Sequence, residues 1–194
     1  MKYIRVEAIL LLLLVGAGMI GTVSAAKFNL VPIVDGSVRD GLDAPKDGIP
    51  DYVLENSVVQ VLNVEQFEDR GIIEFDLSTL PRSITNAQLS LTVFGSNGPY
   101  PFEVEVLTYK GDGILSLSDF NAGTSFYVFN YAGEEAINFD VTSFVQNTVN
   151  SGSRYAGFNI RTVPSIIPMN GPYVAFNSIE YPPAAKLIIK TKGK

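Results

Sequence analysis

The chain contains no cysteine and no histidine. The first absence excludes a disulfide framework, a lipid-attachment cysteine, a thiolate nucleophile and a thiolate metal site. The second removes the usual general base, the Ser-His and Cys-His nucleophile systems and imidazole metal ligation. Catalysis is left with carboxylate, lysine and tyrosine chemistry. No Asn-x-Ser/Thr sequon occurs, so nothing points to N-glycosylation. Basic residues are the minority, 14 Lys and Arg against 20 Asp and Glu, net −6. That balance opposes binding to nucleic acid or to an anionic membrane, because both demand a surplus of positive charge.

What is present begins with a short charged lead, Lys2 and Arg5. An apolar run from Ala8 to Val15 and a small-residue stretch from Gly16 to Ala26 follow. That order is the order of a signal peptide. Val23 and Ala25 suit the processing positions for cleavage after Ala25, and Ser24 and Ala26 serve one residue later. Residues 1–25 are therefore expected to be a leader and residues 26–194 one secreted, extracellular or cell-surface domain. The alternative is an uncleaved membrane anchor running on through Val23. There is no second apolar span, and the end of the chain carries Lys186, Lys190, Lys192 and Lys194. Without cross-links, stability has to come from a core, and the remaining length suffices for one.

Strand signals dominate that remainder. Alternating or β-branched segments run over 28–34, 57–64, 71–77, 87–94, 102–109, 126–131, 136–140, 155–161, 173–177 and 186–191, each bounded by Gly, Pro, Asn, Asp or Ser. Leu89, Leu91 and Val93 alternate with Gln88, Ser90 and Thr92, the period of a strand with one buried and one wet face. About ten short strands at this spacing predict an all-β fold, a single antiparallel β-sandwich of jelly-roll type. One segment differs. Val141, Phe144, Val145 and Val149 are spaced as one face of a helix, with Asp140 or Thr142 to cap its start and Gly152 to close its end. One short helix is expected there.

Several stretches resemble, in order, the secreted β-sandwich family named after its DNRLRE motif. They are Arg70-Gly-Ile-Ile-Glu-Phe-Asp-Leu-Ser-Thr-Leu-Pro81, Ile84-Thr-Asn-Ala-Gln-Leu-Ser-Leu91, Asp140-Val-Thr142, Gly157-Phe-Asn-Ile160 and Phe176-Asn-Ser-Ile-Glu180. The stretch from Asp35 to Asp51 is similar to a variant start found in surface and matrix proteins. The resemblance implies a non-catalytic carbohydrate-binding module acting on extracellular polysaccharide. The alternative is a structural or adhesive component of a surface layer, matrix or filament that associates with itself. A third class, a histidine-free polysaccharide lyase or hydrolase, would need paired carboxylates such as Glu103 and Glu105, or Glu134 and Glu135. Those residues read more simply as strand and turn charges, so the chain is expected not to be an enzyme. Arg70 and Glu180 fall in two of the shared blocks and are expected to form an ion pair, the alternative being two independent surface charges.

Two ligand sites follow from residue pattern. Sugar rings stack on aromatic faces, and Tyr127, Phe129 and Tyr131 alternate along one strand, which nominates Tyr127 and Tyr131 as carbohydrate contacts. The alternative is that this face is core. Tyr100, Tyr155, Tyr173 and Tyr181 are scattered and form no platform that sequence alone can assemble. Calcium is the expected cofactor: Asp43, Asp47 and Asp51 sit at relative positions 1, 5 and 9 of a loop, with Gly48 where a calcium loop turns sharply. Against this, Pro45 occupies position 3 and Leu54 position 12. The alternative is a turn-rich connection without an ion.

Overall fold

The structure is a computed structural model that describes residues 25–41, 43, 45–55, 58–98, 100–163 and 171–192. The expected leader, save Ala25, lies outside the described residues. Twelve strands and one α-helix follow one another along them. The strands are β1 (Lys27–Leu30), β2 (Val34–Gly41), β3 (Tyr52–Leu54), β4 (Val58–Asn63), β5 (Phe67–Asp76), β6 (Ile84–Asn97), β7 (Phe102–Gly111), β8 (Thr124–Tyr131) and β9 (Ala136–Asp140). After helix α1 (Thr142–Asn150) come β10 (Tyr155–Thr162), β11 (Tyr173–Asn177) and β12 (Lys186–Thr191). The fold is all-β, as the alternation predicts.

Every described pairing is antiparallel. The strands form one curled sheet in the order β1-β12-β6-β11-β4-β5-β10-β7-β8, with β2 added beside β5, β3 beside β2 and β9 beside β6. Strand β6 makes the curl. Its first half pairs with β12 and its last residues with β11, with register shifts in both partners. The two ends of the sheet thus enclose a core in which Leu89, Leu187 and Ile189 meet Phe75, Phe158 and Ile160.

Period-two alternation decides which side chains enter that core. Ile73 points into it, whereas its neighbour Ile72 joins a second, smaller cluster on the opposite face with Val34, Val38 and Phe120. The smaller cluster is roofed by the connection between β7 and β8. A 3-10 turn at Leu117–Asn121 delivers Phe120 there, and Leu115 packs alongside. The roof covers only part of the outer face. The strands β4, β11 and β6 are left to make a surface of their own.

The helix lies where its periodicity places it. Val141 and Val145 are buried, and Phe144 and Val149 pack against the core. Its start has no side-chain cap on the cap residue Val141. The Asp140 carboxylate accepts the Thr142 N–H (2.9 Å) instead, and Thr142 Oγ1 accepts the Ala87 N–H (2.8 Å), tying the helix to β6. Gly152, at φ 75°, closes the other end.

The first two strands depart from expectation. One strand over 28–34 is expected, but the chain breaks at Pro32, and β2 then runs through Val-Asp-Gly-Ser-Val-Arg-Asp-Gly. Its Gly, Asp and Ser content reads as loop. It is a strand because it is buried against β5 along its full length and its Gly36 admits a close approach: a Cβ there would lie 2.6 Å from Leu115 Cδ2 and 2.9 Å from the Leu54 carbonyl.

Candidate functional site

The surface left open by the roof is built by register. In β4, Val59 and Val61 face the core, so Gln60 and Leu62 face outward. Tyr173 of β11 stands opposite Leu62 of β4 on one side and Asn97 of β6 on the other, giving a three-strand row Leu62, Tyr173, Asn97. The adjacent row is Gln60, Ala175, Gly95. Two small residues beside a tyrosine leave a floor onto which the ring can fold. It does so: the Tyr173 hydroxyl lies 3.1 Å from where a Cβ on Gly95 would be. The half-buried ring thus rests along the sheet instead of standing off it.

These rows open into a groove of about 490 Å³. Val64, Gln66, Phe67 and Gly171 close one end around Gln60, Leu62, Asn97 and Tyr173. Gly171 is required by space, since a Cβ there would lie 2.2 Å from the Asn63 carbonyl. No charged side chain lines the groove. The nearest cation, Arg39, is spent behind it: its guanidinium lies 4.1 Å from the Phe67 ring centre and grips Asp69 with two bonds, 2.6 and 2.8 Å. The bond to the Asp69 carboxylate raises the guanidinium pKa further, which keeps that pair ionic. Lys46 is likewise engaged, donating to Asn63 Oδ1 and to the Val64 carbonyl. The groove therefore offers aromatic and aliphatic faces flanked by three amides, in a neutral setting.

Of the expected carbohydrate contacts, Tyr131 is a core residue, 1% exposed, with its ring against Phe102 and its hydroxyl bonded to Ser96 Oγ and the Glu134 carbonyl, both at 3.1 Å. The alternation that puts Tyr127, Phe129 and Tyr131 on one side of β8 puts that side on the core. Only Tyr127 escapes, 49% exposed at the rim, edge-on to Phe139 at 5.3 Å. With its companion buried, it makes no two-ring platform. A register shift in the β7–β8 pairing, near Phe126, also brings that residue against the core, so strict alternation fails locally.

The acidic loop is organised around a residue the sequence reading passed over. Buried Asp40 accepts the N–H groups of Gly48 (2.8 Å) and Asp47 (3.3 Å). Asp51 accepts the Gly41 N–H (2.9 Å), Asp43 the Tyr52 hydroxyl, and Asp47 the Ile49 N–H (3.0 Å). The sharp turn at Gly48 is present, at φ 88°. Among the described residues, however, no three acidic side chains gather in a group fit to hold an ion.

Arg70 does not reach Glu180. Its Nε bonds Glu68 at 2.6 Å, its Nη1 bonds the Phe120 carbonyl at 2.7 Å, and the guanidinium stacks 3.9 Å from the Phe120 ring centre. The side chain is turned toward the roof, which exhausts its donors, while Glu180 is exposed in the turn after β11. The carboxylate pairs considered for hydrolysis are dispersed too: Glu105 is bonded to Arg161 at 2.6 Å and Glu134 to the Ala132 N–H at 2.9 Å.

Under the roof lies a polar cluster the sequence did not announce. The buried Glu74 carboxylate accepts the Tyr109 hydroxyl (2.8 Å) and the Gly113 N–H (2.7 Å), with Asp119 close by. Burial raises the pKa of both Glu74 and Asp119. Gly111 and Gly157 make the room, since a Cβ on either would lie within 2.6 Å of the Glu74 carboxyl or the Tyr109 ring. Asn159 donates from Nδ2 to the carbonyls of Asp119, Phe120 and Ala122 and so pins the roof to β10. This cluster is enclosed and positions the connection; the groove alone is open. No family model matches the chain, and a search of curated proteins finds no match to it.

Proposed function

We propose that this protein is a secreted, non-catalytic carbohydrate-binding domain of the DNRLRE type, and that the groove across β4, β11 and β6 is where it meets an extracellular polysaccharide. The observation that carries the reading is the Tyr173 ring folded over Gly95, with Gln60 on one side and Asn97 on the other. A sugar ring presents an apolar face and a rim of hydroxyls. A flat aromatic face and fixed amides answer both at low cost in side-chain entropy. The groove is open along the sheet, which suits a polymer chain. Its uncharged lining, in a chain of net −6, favours neutral glycans over uronic acid polymers, which the overall charge repels.

The test is binding of the purified protein to a panel of neutral and acidic polysaccharides by calorimetry and affinity electrophoresis. A neutral glycan is expected to bind. Tyr173→Ala is expected to weaken that binding by about 30-fold, the effect of losing a contact worth about 2 kcal/mol. Tyr127→Ala is expected to leave it unchanged. Absence of binding across the panel, or binding indifferent to Tyr173→Ala, overturns the assignment.

A further inference from the structure

A sheet that does not close must manage its edges, because an edge strand presents unpaired N–H and C=O groups that can pair with another chain. Among the described residues, β1, β3, β8 and β9 each pair on one side only. Three of these carry ordinary safeguards. Strand β1 opens with Lys27, β3 is three residues long, and β9 is five residues ending at Asp140.

Strand β8 has none of these safeguards. It is eight residues, Thr-Ser-Phe-Tyr-Val-Phe-Asn-Tyr, without charge or proline. Every second residue of such a strand turns its N–H and C=O away from its partner β7. Tyr127 and Val128, on opposite faces at mid-strand, are 49% and 47% exposed. The nearest charges within its layer, Glu103 and Glu105, sit one strand inward on β7, and Glu105 is held by Arg161.

We propose that β8 is a self-association edge. Two copies of this chain pair β8 to β8 antiparallel about a two-fold axis, so that the sheet β10-β7-β8 continues into its counterpart. The charge pattern selects a second copy as the occupant. Copies of net −6 repel over most of their surface, and a long edge free of charge is where two identical chains approach at least cost. An antiparallel strand pair is self-complementary in hydrogen bonding, and the two-fold axis brings the exposed Tyr127 and Val128 of both copies to the centre of the contact. The inference is independent of the groove, which lies on other strands.

Sedimentation velocity on the purified protein, from about 10 μM to about 1 mM, covers the affinities expected of a small interface. A concentration-dependent dimer is expected. Val128→Lys places a like charge from each copy at the contact and is expected to weaken dimerisation by at least about ten-fold. Val128→Thr, which keeps a β-branched neutral residue, is expected to retain it. Asn130→Lys is an independent second probe: its side chain is exposed and stands across from Glu103, which favours the monomer fold. Amide exchange in β8 is expected to slow as concentration rises. A monomer throughout the range, or association unchanged by both lysine variants, overturns the proposal.

Discussion

Asp35 offers the sharpest test of the energetics, because with no histidine in the chain few groups titrate between pH 4 and 7.5. Its carboxylate lies at the start of β2 and accepts the Ile179 N–H at 2.7 Å. Burial raises its pKa, the Ile179 bond pulls it down in part, and the nearby Glu180 charge adds to the rise, leaving it at about 6 against an ordinary 3.8. A carboxyl whose folded pKa lies above its unfolded pKa favours folding when protonated. Its contribution is fully present below pH 3.8 and is lost as pH rises through about 6. At about 1.4 kcal/mol per unit the full shift corresponds to about 3 kcal/mol. The group keeps solvent contact, and screening reduces this to about 1 kcal/mol. Asp35→Asn retains an acceptor for Ile179 and removes the charge. Urea unfolding of both proteins at pH ~4 and pH ~7.5 is expected to show the stability difference moving in the variant's favour by about 1 kcal/mol at the higher pH. A difference that does not change with pH, or moves the other way, would falsify the reasoning that Asp35 is ionised at a cost in the folded chain.

Two further outcomes follow. Gly157→Ala drives a methyl to within 2.4 Å of the Tyr109 ring and is expected to cost about 1–3 kcal/mol in unfolding free energy, whereas Gly133→Ala, where a Cβ meets nothing, is expected to cost only what its positive φ imposes. Calcium at Asp43, Asp47 and Asp51 requires Asp43 and Asp51 to exchange their Tyr52 and Gly41 donors for the ion. Its signature is a thermal midpoint that rises with millimolar calcium, falls with chelator and stops responding in Asp47→Ala, and an unchanged midpoint leaves the loop held by Asp40 alone.

The sequence by itself determined the all-β class, the positions of most strands and the one helix. Those follow from local rules: alternation in Gln88–Val93, and the helical spacing of Val141, Phe144, Val145 and Val149, are written within a few residues of one another. Strand β2 was not legible, because its Gly and Asp residues disfavour a strand until β5 and Leu115 close around them. The direction of the β8 aromatics was half legible. Alternation grouped Tyr127, Phe129 and Tyr131, but which face is core depends on what packs there, and Phe139 and Phe102 decide it. Arg70 found Glu68 and Phe120, with no pattern in the chain to signal that the β7–β8 connection folds back over it. The groove belonged to tertiary structure altogether. Leu62, Asn97 and Tyr173 are remote in sequence, and Tyr173 reads alone as a stray aromatic. Antiparallel register brings the three into one row, and only the missing side chain of Gly95 lets the ring lie flat.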